Sequence, residues 1–337
     1  MPKSREVVLK HRIETKPVPT HFEIVERIVP DHPGDGKLLV RILYLTFDPY
    51  LGQAIRGQHM GEPHPDAGEP LPGYCVAEVV ASGDSRFAKG DHVVGQAGWG
   101  EFGMMDAAGA RKVDPSLGLA VHLGLLGTPG LTAWAGVTQL ARVSQGDVFT
   151  IDAAAGAVGG TAGQLAKILG ARAVGIAGGP EKCAQARDVY GFDDCIDYRQ
   201  PDWIKALTAA TGGGPSVHFE NVGASVLLPV LSSLRIYGRV VLCGLAEHYH
   251  ADGPRPTMPI GTIIGKRAHM LGLVVYDFFP RLAEWVAFAT PHIKAGRLVE
   301  LRDVSEGIDT APQQFDRLLQ GNNLGKTLVR VDPSAIN

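Results

Sequence analysis

Hydrophobic positions follow two different spacings along the chain. Up to about residue 120, apolar residues alternate with polar ones inside short runs bounded by Gly, Pro or Asp: FEIVERIV (22–29), GKLLVRILYLTF (36–47), YCVAEVVASG (74–83) and the turn-rich KGDHVVGQAGWGEFGMM (89–105). In the second run Leu38, Val40, Ile42 and Tyr44 share one face, the period of two expected of strands. No helical period precedes residue 120, so this part predicts an all-β domain. From Gly130 strands and helices alternate. GLTAWAGVTQLA (130–141) looks helical, DVFTIDAA (147–154) is an apolar run of buried-strand length, and Ala162, Leu165, Ala166 and Leu169 recur at i, i+3, i+4, i+7. Then come ARAVGIAG, DCIDY, SVHFENV and GRVVLCG as strands, separated by PEKCAQARDVYG, DWIKALTAAT and ASVLLPVLSSL as helices. A strand AHMLGLVV (268–275) and a helix PRLAEWVAFATPHIKAG (280–296) complete the series, which predicts a parallel doubly wound sheet. The last forty residues, with APQQFDRLLQ and GKTLVRV, fit either domain by pattern.

Composition narrows the class. At 337 residues the chain is long enough for two domains, and 45% hydrophobic with 20% charged residues excludes a disordered or fibrous chain. A net charge of −3 offers no summed positive field for nucleic acid. Cys75, Cys183, Cys195 and Cys243 are scattered without a C-x-x-C pair, which suggests reduced thiols rather than a disulfide framework or a cysteine zinc site. The N-terminus carries charges throughout and lacks the apolar core of a signal peptide, so a cytoplasmic location is expected. From Leu117 to Ala141 no residue is formally charged, but a G-T-P-G turn interrupts the run, and two buried elements are expected there instead of a membrane span. Glycine is in excess, 43 residues, which points to turns and close backbone approaches.

One such turn carries chemistry. In IDAAAGAVGGTAGQLAKILG a buried strand gives way to a helix, and Ala154-x-Gly156-x-x-Gly159 is the dinucleotide fingerprint with alanine in its first position. Small residues let the chain turn tightly and the backbone approach a pyrophosphate, while the helix N-terminus points free N–H groups at the anion. The alternative is a small-residue packing contact between helix and sheet. At the end of the second strand, where NAD binders carry an acid, stand Ala177, Gly178, Gly179 and Pro180, followed by Glu181 and Lys182. Lys182 is placed to meet a 2′-phosphate, so NADP(H) is the expected cofactor. The alternative leaves Lys182 solvated and gives the ribose to Glu181.

The segments TFDPYLG (46–52), GWGEF (98–102), GTPGLTAWAG (127–136), AAAGAVGG (153–160), GGPEKC (178–183), GFDDCIDYR (191–199), HFENVG (218–223), VVLCGLAEHY (240–249) and NNLGKTLV (322–329) run nearly end to end. Through them the chain resembles the zinc-independent medium-chain dehydrogenases/reductases, in the branch of leukotriene 12-hydroxydehydrogenase/prostaglandin reductase, plant alkenal double-bond reductases and bacterial curcumin reductase. The resemblance implies an α/β fold: a GroES-like β catalytic domain over 1–125, a Rossmann NADP-binding domain over 126–295, and a C-terminal segment, 296–337, returning to the first. It implies that Gly156, Val158 and Gly159 form the cofactor turn, that Lys182 and Tyr198 hold the 2′-phosphate, that Asn221 and Gly244 line the cofactor groove, and that Asn323 reaches the nicotinamide end. Tyr249 occupies the family's tyrosine beside the nicotinamide, in a stretch that here reads E-H-Y-H (Glu247–His250) instead of S-Q-Y-N. After Tyr50 the chain continues L-G where many relatives have M-R. A homodimer through the Rossmann sheet edge, over Met270–Val275, is also implied.

Zinc alcohol dehydrogenases of the same superfamily need a Cys/His/Glu set and a four-cysteine lobe. Four dispersed cysteines cannot build the lobe, DPY stands where the first catalytic cysteine would be, and no metal is expected. Without a metal to polarise an alcohol, hydride from NADPH has an easier course to the β carbon of an enone or enal, leaving enolate charge on the carbonyl oxygen. Tyr249 is the first candidate donor to that oxygen, with cofactor contact besides, and Tyr50 the second. Trp99 and Tyr276 are candidate pocket walls. Each tyrosine has a structural alternative as a half-buried ring with one satisfied hydroxyl, and water is an alternative proton source. The partner expected is a small enone, enal or quinone, not nucleic acid or membrane. Quinone reduction, or NADPH binding by a sensor without turnover, are the other readings.

Overall fold

Alternating residues become strands wherever two neighbours supply hydrogen bonds, and the chain does this in two separate units, Met1–Leu123 with Arg302–Asn337, and Gly124–Leu301. The computed structural model describes residues 3–61, 63–249 and 257–335. In the first unit β1 (Lys3–Leu9) pairs antiparallel with β2 (Phe22–Ile28). β3 (Lys37–Thr46) is followed by a single helical turn, α1 (Leu51–Ala54), and then by β4 (Tyr74–Ser82), β5 (His92–Gln96), β6 (Phe102–Asp106) and β7 (Arg111–Lys112). Leu38, Val40 and Ile42 face inward as the period of two requires, all fully buried. The alternation does not predict β1, because Ser4 and Glu6 on its buried side are polar; Glu6 is ion-paired to Arg27 on β2. The one-turn helix α1 is likewise too short to leave a period.

The second unit opens with α2 (Thr128–Trp134), which carries Pro129 in its first turn and runs into a π turn, Ala135–Leu140. Its small residues let it press onto its neighbours: a Cβ at Gly136 would lie 2.2 Å from the Phe219 ring. Among the described residues no helix is long and apolar enough to cross a membrane. The alternation that follows is β8 (Val148–Ile151), α3 (Ala157–Ile168), β9 (Arg172–Ala177), α4 (Pro180–Asp188), β10 (Asp194–Asp197), α5 (Trp203–Ala210), β11 (Val217–Glu220), α6 (Ala224–Ser233) and β12 (Arg239–Leu242). Then come α7 (Ile260–Lys266), β13 (His269–Gly272) and α8 (Leu282–Lys294). The six strands are parallel in the order β10-β9-β8-β11-β12-β13. Strand order reverses between β8 and β11, and open sheets of this kind bind ligands at the carboxyl ends of the strands flanking that point. The expected strand AHMLGLVV is only four residues long here, and α7 was not evident from the spacing.

The C-terminal segment adds β14 (Arg302–Glu306), α9 (Ala311–Leu319) and β15 (Lys326–Arg330) to the first unit. β14 and β15 run parallel, joined through α9, and β15 pairs antiparallel with β3, giving the sheet path β14-β15-β3-β4-β5-β7 with β6 on β3.

Candidate functional site

The glycine turn lies at the strand-order reversal. After Ile151 the chain passes through Asp152 to Ala153, which takes the left-handed backbone (φ +45°), and the Ala153 carbonyl accepts the Gly156 N–H at 2.8 Å. A Cβ at Gly159 would lie 2.2 Å from the Ala153 oxygen and 2.9 Å from the Ala154 Cα, so only glycine lets α3 start this close to the turn. Gly156 is the N-cap of α3 and has no side chain to cap it, and the first turn holds no acid. Helix geometry leaves the N–H groups of Ala157, Val158 and Gly159 without intrahelical acceptors, at the positive end of the helix dipole. That is an anion site of the kind pyrophosphates occupy. Gly163 does something else: its missing side chain makes room for the Phe192 ring, 1.9 Å from where a Cβ would stand.

At the carboxyl tip of β9 the absent acid is a structural opening. Tyr198 and Arg199, just past β10, lie against it: a Cβ on Gly178 would be 3.2 Å from both the Tyr198 hydroxyl and the Arg199 Nε. Asp197 is the one carboxylate at this corner on β10, and its Oδ1 accepts the N–H groups of Gly179 (2.9 Å) and Arg199 (3.0 Å). Lys182 is part-buried in the first turn of α4, next to exposed Glu181. Arg199, two residues past β10, is not among the residues expected from the sequence, and only the fold places it here.

The ends of β11 and β12 bring Asn221, Gly244 and Tyr249 together. The Tyr249 hydroxyl accepts the Leu245 N–H at 3.4 Å and would lie 3.4 Å from a Cβ on Gly244, which itself would meet the Asn221 carbonyl at 2.8 Å. Burial raises the Tyr249 pKa above that of a free phenol, so the hydroxyl keeps its proton at neutral pH and can donate it. The two residues that replace S-Q here cap α6: Glu247 accepts the Ser225 N–H at 2.9 Å, and His248 Nε2 accepts the Ala224 N–H at 3.2 Å. His250 lies outside the described residues.

Within the first unit two motifs far apart in sequence meet. Lys326, 1% exposed, donates to Asp48 Oδ1 at 2.5 Å and to the Phe47 carbonyl at 3.1 Å, tying NNLGK to TFDPY. Asn323, three residues before Lys326, is held by its own turn through Nδ2 to the Gly325 carbonyl (2.9 Å). Tyr50, two residues after Asp48, is part-buried with its ring 4.6 Å from that of His59. Trp99 is not a pocket wall. It is 0% exposed, packed on Phe22, Phe47 and Phe315, and its indole N–H is used by the Pro72 carbonyl at 2.9 Å. Tyr276 follows the outermost strand of the second unit, 40% exposed and stacked on Phe279, and does not join the Asn221–Tyr249 set.

The donor set does not suit zinc. Cys75 is in the first unit's core, Cys183 faces Cys195, and Cys243, just past β12, is a buried thiol facing Asp152 and Glu220. Among the described residues one group of three possible ligands stands together, Asp152, His218 and Glu220, and it is sealed inside the sheet with its oxygens engaged by backbone N–H groups.

Residues 5–113 match the family described as N-terminal domain of oxidoreductase, and residues 157–290 the family described as zinc-binding dehydrogenase. The chain is 34% identical to the NADP(+)-dependent 2-alkenal reductase of Nicotiana tabacum, covering 97% of each chain. It is also 34% identical to the NADPH-dependent curcumin reductase of Escherichia coli, covering 98% of this chain and 97% of the other. The crystal structure of Vibrio vulnificus CurA in complex with NADPH superposes with a TM-score of 0.90 at 32% identity, over 97% of this chain and 99% of that one.

Proposed function

The chain belongs to the medium-chain dehydrogenase/reductase superfamily, in the branch of alkenal, prostaglandin and curcumin reductases, and from that membership we propose that it binds NADPH and reduces the C=C bond of α,β-unsaturated ketones or aldehydes. The observation that carries this reading is the tip of β9, where glycines replace the acid of NAD enzymes and Tyr198 and Arg199 lie alongside. A 2′-phosphate needs such cations and hydroxyl donors, and the Asp197 carboxylate at this corner is taken up by the N–H groups of Gly179 and Arg199. Ala157, Val158 and Gly159 would receive the pyrophosphate on their N–H groups. Lys182 and Arg199 would neutralise the 2′-phosphate, and Asn221, Gly244 and Asn323 are assigned to the rest of the cofactor.

NADPH, when bound, supplies the hydride that adds to the substrate β carbon. The protein's part is to meet the charge that then collects on the carbonyl oxygen. That task is assigned to hydrogen-bond donors, first the protonated Tyr249 hydroxyl. Tyr249 is also the assigned proton source for the α carbon. Tyr50 is assigned a second contact with the substrate. The exposed edge strand β13, with Ile260 and Ile264 of α7 exposed beside it in sequence, supports a homodimer through that sheet edge, and four free cysteines suit the reducing cytoplasm.

The test is incubation with NADPH or NADH and a panel of enals, enones and quinones, followed by product analysis. Saturated carbonyl products formed with a marked preference for NADPH are expected. NADPH oxidation at background across the panel overturns the proposal, and hydroquinones as the sole products replace it with quinone reduction.

A further inference from the structure

Two carboxylates in the centre of the parallel sheet have no part in the reaction as described, yet they hold the turn that carries Asn221. Asp152 and Glu220, at the carboxyl ends of adjacent strands β8 and β11, are 1% and 0% exposed, and His218 beside them is 0% exposed. Their nearest ligand atoms all lie within 4.8 Å of one another. The turn after β11 hangs from this pair. Asp152 Oδ1 accepts the Asn221 N–H (2.7 Å) and the Asn221 side-chain amide (3.2 Å), while Glu220 Oε1 accepts the N–H groups of Val222 (2.7 Å) and Gly223 (2.6 Å). Val222 N–H also reaches Asp152 Oδ2 at 3.2 Å.

Two buried carboxyl groups this close to one another cannot both ionise at modest cost. Burial raises both carboxyls, and the Glu220 charge adds to the effect at Asp152, which is pushed well above the usual range and is the one that holds a proton. His218 is kept neutral by burial; its Nε2 faces Glu220 Oε2 at 3.2 Å and its Nδ1 faces the Thr150 hydroxyl at 3.1 Å. From β12 the pair faces Cys243, whose thiol burial pushes up to about 12 and so leaves uncharged. Past the turn stand Glu247, with His248 against it at 2.8 Å, and the Tyr249 hydroxyl, which faces Cys243.

We propose that Asp152, buried beside Glu220, is a positioning residue that holds the 221–223 turn in its cofactor-receiving shape. The proposal rests on the reading of the second unit as an NADPH site. Linkage sets the sign of its pH dependence. In the unfolded chain Asp152 ionises near its ordinary value of ~3.9, whereas folded it keeps the proton to higher pH. Between those limits the folded state binds more protons, so this group's contribution to stability falls as pH rises.

The experiment measures NADPH affinity by fluorescence titration and Tm by thermal melting between pH 7 and 9, for wild type, Asp152→Asn and Asp152→Ala. That window lies below the ordinary ionisation of lysine and tyrosine. Wild type should lose affinity and Tm toward the alkaline end of this window. Asp152→Asn keeps a donor to Glu220 and an acceptor for Asn221, and should bind as wild type does at pH 7 with both profiles flattened. Asp152→Ala should bind about tenfold more weakly at every pH. Superposable profiles for wild type and Asp152→Asn, or wild-type affinity in Asp152→Ala, overturn the positioning role alone. A wild type that binds no NADPH at any pH overturns the cofactor reading and this role with it.

Discussion

Alanine at Gly159 isolates what the phosphate turn does. Its Cβ would stand 2.2 Å from the Ala153 oxygen, 2.8 Å from the Ala153 carbonyl carbon and 2.9 Å from the Ala154 Cα. All three are backbone atoms of the turn itself, held by the β8 strand end and by an Ala153 already at φ +45°, so no side chain can swing aside. Restoring an ordinary contact needs a shift of about 1 Å, and overpacking of this kind costs ~1–3 kcal/mol, offset by up to ~1 kcal/mol of improved helix propensity. The larger effect should fall on binding, because the N–H groups of Ala157, Val158 and Gly159 move with the start of α3. Losing one or two hydrogen bonds to a charged phosphate, at ~1.5–3 kcal/mol each, predicts NADPH binding weakened by about 10- to 100-fold or more. Two neighbours act as controls. A Cβ at Gly156 would lie 3.1 Å from the Ala153 oxygen, with the N-cap at φ −83°, so Gly156→Ala should change affinity by no more than about threefold. At Gly163 the Cβ would fall 1.9 Å from the Phe192 ring, so Gly163→Ala should lower Tm with little change in affinity. Fluorescence titration with NADPH and thermal melting of the three variants read both quantities. The reasoning fails if Gly159→Ala binds as tightly as Gly156→Ala, or if Gly163→Ala loses as much affinity as Gly159→Ala.

Removing the cations at the β9 tip should be felt through the 2′-phosphate: Lys182→Ala and Arg199→Ala should each weaken NADPH by about tenfold or more and NADH hardly at all, and equal losses for both cofactors in steady-state KM would remove the assignment. Tyr249→Phe should lower kcat by about 100-fold with the NADPH Kd preserved, since a positioned acid is worth at least that much; unchanged kcat would hand the proton to water. Trp99→Ala should destabilise the first unit by ~3–5 kcal/mol while NADPH affinity, measured on the folded protein, stays put. A Trp99→Ala variant with wild-type Tm and an altered substrate KM would restore Trp99 to the pocket.

Much of the second unit was legible from local spacing. The strand at 148–151, the glycine turn and α3 each announce themselves through a few consecutive residues, because a period of two, a period of 3.6 and a tight turn are decided by near neighbours. The same locality explains the errors. Ser4 and Glu6 hide β1 because their burial is made tolerable by partners elsewhere, Arg27 for Glu6 and the Phe102 N–H for Ser4. Trp99 sits in a glycine-rich stretch that made it a candidate pocket wall, yet Gly73, 26 positions earlier, leaves room for its ring in the core: a Cβ there would be 2.6 Å from Trp99 Cδ1. Arg199 was passed over because nothing within its own segment reveals that it lies against Gly178 and Gly179.

By itself, then, the amino-acid order determined the α/β class, the place of the dinucleotide turn and the missing acid at the strand tip. Only the tertiary structure brought DPY to NNLGK through the buried Lys326–Asp48 pair, and Asp152 to Glu220 across two parallel strands. The physical reason is the same in both cases. A charged or polar group can be buried only where partners surround it, and the groups brought together here stand 278 and 68 positions apart, beyond the reach of any local pattern.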